Sequence, residues 1–277
     1  MDQLAPFFDR FALTARMFYS GRLCGTTGDQ KSEHAGHLHV LKQGRLKIMQ
    51  SSGRQIVLDT PSLLFYPRPR RHRLSASKQE GAELVCATIE FGAGMLNPLI
   101  ASLPEPLVLP LDALPELAPA LELLFSEAFS DAPGRQPAID RLFEYVFVLL
   151  IRSAMNGHLV DSGVLMALSD PRLGSAIEAM HRQPETSWSL EQLAQLAGMS
   201  RARFAVHFRR VVGMTPFDYL TRWRLGVAQT MLRKGSSLKL VAPAVGYANA
   251  TALTRVFTQH FGISPSAWLA QSKSPEN

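Results

Sequence analysis

One short helical unit is written twice in the C-terminal part of this 277-residue chain, and that repeat limits the fold more than any other feature. Residues 190–209 and 238–257 each read as a short apolar helix, a turn entered through glycine (Gly198, Gly246), a polar N-cap (Ser200, Asn249) and a longer helix. Helices this short are marginal alone, so each pair must bury its apolar positions against its own partner. Leu193, Leu196, Phe204 and Phe208 are the expected packing residues of the first unit. Val241, Ala244, Leu253 and Phe257 are their counterparts in the second. This is a helix-turn-helix pattern, in which the second helix of each pair can enter a DNA major groove. Two units on one chain would meet successive turns of one duplex.

The faces turned away from those packing positions carry the candidate contacts. In the first unit they are Arg201, Ala202, Ala205, Val206 and Arg209; in the second, the N-cap Asn249 with Ala250, Thr251, Thr254 and Arg255. Arg255 can fork onto a guanine or hold a phosphate, and threonine and alanine methyls can meet thymine methyls. For Arg201 and Arg209, contact with phosphates alone is the competing expectation. Residues 216–233 form a helical pattern with Phe217, Leu220, Leu225, Ala228, Met231 and Leu232 apolar. A continuous linker helix there would fix the separation of the two units. Charge agrees: from Pro171 onward there are 13 Lys and Arg against 5 Asp and Glu, which leaves 16 against 18 of the totals of 29 and 23 for residues 1–170. Positive charge sits where a polyanion would bind.

The N-terminal part has a different rhythm. From about residue 12 to 91 it reads as short strands, among them 37–41, 45–49, 55–58, 63–66 and 84–91, separated by Gly, Pro, Ser or Asp. Many short strands without helices predict a β-barrel or jelly roll. A Pro- and Leu-rich connection (97–119) follows, then helical periodicity over 117–129 and 138–156, a hinge at 157–169, and a helix over 173–181. The expected fold class is α+β, with a sensor barrel at 1–110, a helical segment at 111–160 and an all-α unit at 171–270. The apolar runs are too short to span a membrane, and the first residues lack a signal-peptide pattern. A cytoplasmic location without a membrane partner, and reduced cysteines, are the matching expectations.

The segment Thr215-Pro216-Phe217-Asp218-Tyr219-Leu220, then Arg222-Trp223-Arg224-Leu225, Ala228 and Met231-Leu232, resembles the inter-motif segment of AraC/XylS-type regulators, as do Val245-Gly246-Tyr247 and Phe261-Gly262-Ile263-Ser264-Pro265. The resemblance implies a seven-helix domain that binds double-stranded promoter DNA and recruits RNA polymerase as an activator. It also implies that Ala202, Ala205 and Val206, and Ala250, Thr251, Thr254 and Arg255, face bases. The first set is small and apolar where relatives often carry long polar side chains.

The strand half is similar to the cupin sensor of such regulators, in the branch that responds to reactive oxidants, notably hypochlorous acid. The residues carrying this are Leu23-Cys24-Gly25, Leu38-His39 through Gly44, Arg71-His72-Arg73 and Val85-Cys86. The resemblance implies that Cys24, His39, His72 and Cys86 meet inside the barrel, as a thiol redox site or as a Cys₂His₂ set for one zinc per chain. His37 shares a strand face with His39 and competes with it; His34 is expected in the turn before. The plain alternative is that the cysteines are small buried hydrophobes, with Leu41, Ile48, Leu58, Phe65 and Ile89 as ordinary core rather than a ligand pocket. The helices at 117–129 and 138–156 either form a homodimer face or pack on the barrel. A metal-dependent cupin enzyme with an accessory DNA-binding part is the alternative function; no suitably placed glutamate follows Gly44 to serve it.

Overall fold

The computed structural model describes residues 2–30, 35–156 and 162–273; His34 and the first part of the predicted hinge, 157–161, lie outside them. The chain forms two compact units, one holding most of residues 12–161 and the other residues 1–11, 96–98 and 162–277. Its helices are α1 (Ala5–Arg10), α2 (Pro98–Ser102), α3 (Ala118–Ala128), α4 (Arg135–Met155), α5 (Val164–Ser169), α6 (Leu173–Arg182), α7 (Leu190–Leu196), α8 (Arg201–Val212), α9 (Pro216–Arg233), α10 (Leu238–Ala244), α11 (Ala250–Phe261) and α12 (Pro265–Lys273). Its strands are β1 (Leu13–Leu23), β2 (Gly25–Thr26), β3 (Gly36–Gly44), β4 (Leu46–Gln50), β5 (Gln55–Leu58), β6 (Ser62–Tyr66), β7 (His72–Ala76), β8 (Ala82–Phe91) and β9 (Leu107–Pro110).

The β-unit is two antiparallel sheets rather than a closed ring, ordered β1-β8-β3-β6-β9 and β2-β7-β4-β5. Leu41, Leu46, Ile48, Leu58, Leu64, Leu74, Leu84 and Cys86 fill the interior. β3 and β6 are buried on both faces, which explains the unbroken apolar run Leu63-Leu64-Phe65. Phe65 turns outward and, with Phe91, meets Phe147 of α4, each at 5.7 Å between ring centroids. The buried stripe of α4 is thus occupied by the sheet, leaving Leu123, Phe129 and Tyr145 exposed. The Pro-rich connection proved to contain β9, whose Leu109 pairs with Leu63. Proline at an edge strand breaks no inner ladder, so its presence hid a strand. The predicted hinge likewise ends in a helix, α5, because Val164, Leu165, Ala167 and Leu168 all find burial.

The helical unit is built much as the repeat predicts, although Ala244 and Met231 are only partly buried and two further residues stay open. Leu193, Phe204, Phe208, Val241, Leu253 and Phe257 are fully buried. Leu196, the last residue of α7, remains 44% exposed, and Phe217, in the first turn of α9, 45%. Both fall on the apolar period but at helix ends that overhang the core. α9 is a continuous helix of 18 residues, capped by Thr215, whose hydroxyl accepts from the Asp218 N–H. α8 and α11 both stop at a left-handed glycine, Gly213 (φ 85°) and Gly262 (φ 73°).

The sequence-based boundaries also assigned the first residues to the sensor, whereas residues 1–11 group with the helical unit. Phe7 of α1 packs edge-on against His181 (4.6 Å) and Trp223 (5.2 Å), and Phe11 against Trp223 (5.0 Å).

Candidate nucleic-acid interface and sensor interior

The two recognition helices are positioned by shared hardware. The Arg224 guanidinium of α9 donates to the Pro184 carbonyl (2.6 Å) and the Thr186 carbonyl (2.8 Å), just ahead of the first unit. The same guanidinium lies against the turn of the second unit, where a Cβ on Gly246 would come within 2.6 Å of it. Gly246 also has φ +81°, so both backbone and space require glycine there. Arg224 therefore ties one end of each unit to the linker helix, and the spacing of α8 and α11 is held by α9.

None of the ten predicted contact residues is fully buried, and seven lie on open surface. Arg201, Ala202, Val206 and Arg209 of α8 are exposed and Ala205 half-buried; Asn249, Thr251 and Arg255 are exposed and Ala250 and Thr254 half-buried. Val206 is 71% exposed, a large cost for an aliphatic side chain unless something apolar covers it. Asn249 has a structural task as well: its Oδ1 accepts from the Ala252 N–H at 2.9 Å and caps α11. Ser200, its counterpart, makes no such bond.

A hydrogen-bonded chain backs the first recognition helix. Arg210 Nη2 lies 2.9 Å from His207 Nδ1, and because a guanidinium only donates, that nitrogen accepts. His207 Nε2 then donates to Asp170 Oδ2 at 2.7 Å. Asp170 Oδ1 accepts from the Arg172 and Leu173 N–H groups at 2.8 and 3.1 Å, which caps α6. Burial would raise the Asp170 pKa, but these backbone donors and His207 more than offset it and hold the carboxyl below its usual range.

In the β-unit, three imidazoles converge. His39 is 0% exposed, and its Nε2 lies 2.8 Å from His72 Nε2. His72 Nδ1 must donate to the Arg70 carbonyl (2.9 Å), so its Nε2 accepts the His39 proton. That leaves His39 Nδ1, and likewise His37 Nδ1, buried without a hydrogen-bond partner. Burial lowers all three pKa values, that of His37 to about 4, with His72 adding to the effect on its two neighbours. Phe18, the bulged residue of β1, covers His37 and His39 edge-on at 5.8 and 6.2 Å.

Cys86 stands directly across the ladder from His39, fully buried, and burial pushes its thiol pKa up. Cys24 does not join them. It is exposed and sits against Gly81, beyond the Leu23–Ala82 pair, whereas Cys86 pairs with Tyr19. That offset of four to five residues is roughly 15 Å along the ladder, too far for a disulfide in this register. The four implied residues therefore do not form the tetrahedral set zinc needs, and among the described residues no three His, Cys, Asp or Glu side chains are grouped to hold a metal ion. Burial first, then the Cys86 and Cys24 thiols, push the Tyr19 pKa up. His37 entered the sequence reading only as a competitor of His39. Its period-two spacing from His39 was the signal for the third ring.

Comparison with known proteins fits this architecture. A family model described as Cupin matches residues 2–156, and one described as Helix-turn-helix domain matches residues 193–271. The RCS-specific HTH-type transcriptional activator RclR of Escherichia coli strain K12 is 32% identical over 235 residues, covering 83% of this chain and 82% of that protein. The chain belongs to the AraC-type cupin regulators. A regulator of Haemophilus influenzae is 29% identical over 262 residues, covering 86% of this chain and 87% of its own length. The DNA-binding domain of AdpA, solved in complex with a target DNA, is 31% identical over 39% of this chain and all of that chain, with a TM-score of 0.36. An AraC-type regulator acts by binding DNA, and in this chain the second helix of each pair, α8 and α11, keeps an exposed face. Among the described residues, no helix is long and apolar enough to cross a membrane.

Proposed function

We propose that this AraC-type regulator is a cytoplasmic, redox-responsive activator that binds promoter DNA sequence-specifically, with its cupin unit as the receiver of an oxidant. The observation that carries this reading is the contrast between its thiols. Cys24 is open to solvent, while Cys86 is sealed across the ladder from His39, one of the paired imidazoles. An oxidant of the hypochlorous acid class meets Cys24 first and converts it to a sulfenic acid. Condensation with Cys86 would then release water and close a disulfide, but only if β1 shifts against β8. A bond that cannot form without moving a strand links redox state to packing. RclR is named RCS-specific, and similarity over 82% of its length supports the same signal class here.

Zinc has no step in this mechanism, since the residues as placed do not supply its ligand set. RNA polymerase is the proposed downstream partner. A second copy of the chain is another, meeting the exposed Leu123, Phe129 and Tyr145. A small polar ligand inside the barrel is the second reading, favoured by the bare Nδ1 atoms of His37 and His39. The deciding experiment titrates thiols and measures DNA binding before and after hypochlorous acid. Loss of the response in Cys24→Ser is expected; a wild-type response in both Cys24→Ser and Cys86→Ser sinks the thiol reading. Elemental analysis accompanies it, because one zinc per reduced chain would require Cys24 to turn inward.

A further inference from the structure

We propose that Arg172, Arg203 and Arg210 form a phosphate clamp beside the first recognition helix, gripping the sugar–phosphate backbone of the strand that walls the major groove. This rests on the DNA-binding reading and adds Arg172 and Arg210, which lie outside the repeat, and Arg203, which lies off its outward stripe. A groove of about 500 Å³ is lined by Arg172, Ala202, Arg203, Val206, His207 and Arg210. Three of its six lining residues are arginines, from two places, the N-cap of α6 and the flank of α8.

Helical geometry says what occupies it. At 100° per residue, Ala202, Ala205, Val206 and Arg209 centre on one line of α8, whereas Arg203, His207 and Arg210 lie about a third of a turn round. A major groove is about 12 Å wide and a helix with side chains nearly as wide. When the first line faces base edges, the second faces a phosphate wall. The opposite flank is differently built: Ser189, Leu190, Glu191, Arg201, Ala202 and Ala205 line a second groove that carries a carboxylate. Only the Arg172 side is dominated by cations.

The clamp is also held in place. Arg210 is fixed by donating to His207, His207 by donating to Asp170, and Asp170 by the backbone of Arg172 and Leu173. Arg210 by its guanidinium and Arg172 by its backbone N–H therefore belong to one hydrogen-bonded chain that joins the two walls. His207 is a positioning residue; it holds Arg210 without needing to touch DNA itself.

The test uses the full chain and two DNA probes of equal length, one selected from a random duplex library by repeated binding and one unrelated. Arg172→Ala, Arg203→Ala and Arg210→Ala should each lower the slope of log affinity against log salt by about one. At about 0.1 M salt each should weaken both duplexes by roughly eightfold, the factor one released counterion contributes relative to 1 M. Arg210→Lys keeps the charge and should restore the slope. His207→Ala should weaken binding less than Arg210→Ala, on both probes equally. A triple alanine variant that melts like wild type and keeps the wild-type slope overturns the clamp. Loss confined to the selected duplex overturns it too, since that is base readout. If no duplex is enriched by the wild-type chain, the DNA-binding reading itself has failed, and the clamp with it.

Discussion

The two helix-turn-helix units share a scaffold and differ in what they show to the outside. Leu193, Phe204 and Phe208 in one, and Val241, Leu253 and Phe257 in the other, are all completely buried. Beyond that core the likeness stops. α8 presents Val206 and two alanines with arginines along its edges, while α11 presents Thr251, Thr254 and Arg255 behind a capping asparagine. The first surface is suited to charge and methyl contacts, the second to hydrogen bonding with base edges. Duplication preserves what a helix pair needs to fold and leaves its reading surface free to diverge.

Equality of the scaffolds is the part easiest to break. Leu193→Ala and Leu253→Ala should each cost about 2–5 kcal/mol in chemical unfolding, the usual penalty for emptying a packed leucine site. A cost below about 1 kcal/mol at either site would mean that its unit is not held by this core. Acid should test the scaffold beneath both units next. His181 of α6, fully buried against Trp223 and Tyr219, has its pKa driven down to about 3 by burial. The unfolded chain binds that proton near pH 6.5 while the folded chain refuses it, so stability should fall as pH drops from about 6.5 towards 3, by roughly 1 kcal/mol per pH unit. His181→Phe should flatten that slope in melting curves between pH 4 and 6.5; an unchanged slope would remove His181 as its source.

Smaller effects probe the reading surfaces. Arg255→Ala should cost about 1–3 kcal/mol on the selected duplex and less on unrelated DNA, whereas Val206→Ala should cost under about 1 kcal/mol. Equal losses on both probes for Arg255→Ala would make it a phosphate contact and erase the contrast between the units. Least of all, Asn249→Ala should lower stability by about 1 kcal/mol through its lost cap, and Ser200→Ala by much less because its hydroxyl caps nothing. Equal effects in thermal melts would contradict the asymmetric turns.

Local periodicity carried much of this into view. The helix pairs were legible because Phe204, Phe208, Leu253 and Phe257 repeat at helical spacing next to glycine turns. Leu196 and Phe217 misled for the same reason, since period says which face a residue shares but not whether the helix end overhangs its neighbour. β9 was masked by Pro106 and Pro110, residues that argue against a central strand and tolerate an edge. The Cys24–Cys86 separation is a register property, fixed by which residue of β1 meets which of β8, and composition does not encode it. The arginine clamp needed tertiary contact to emerge: Arg203, His207 and Arg210 show a basic helix flank, but Arg172 joins them only through Asp170.

The first helix has a practical consequence. Phe7 and Phe11 fill the aromatic nest around Trp223, although the chain runs from them straight into the opening strand of the cupin unit. A fragment begun at residue 162 would carry every recognition side chain and still be missing two rings from its interior. Cutting this gene where its halves look separable would therefore yield a hollowed half.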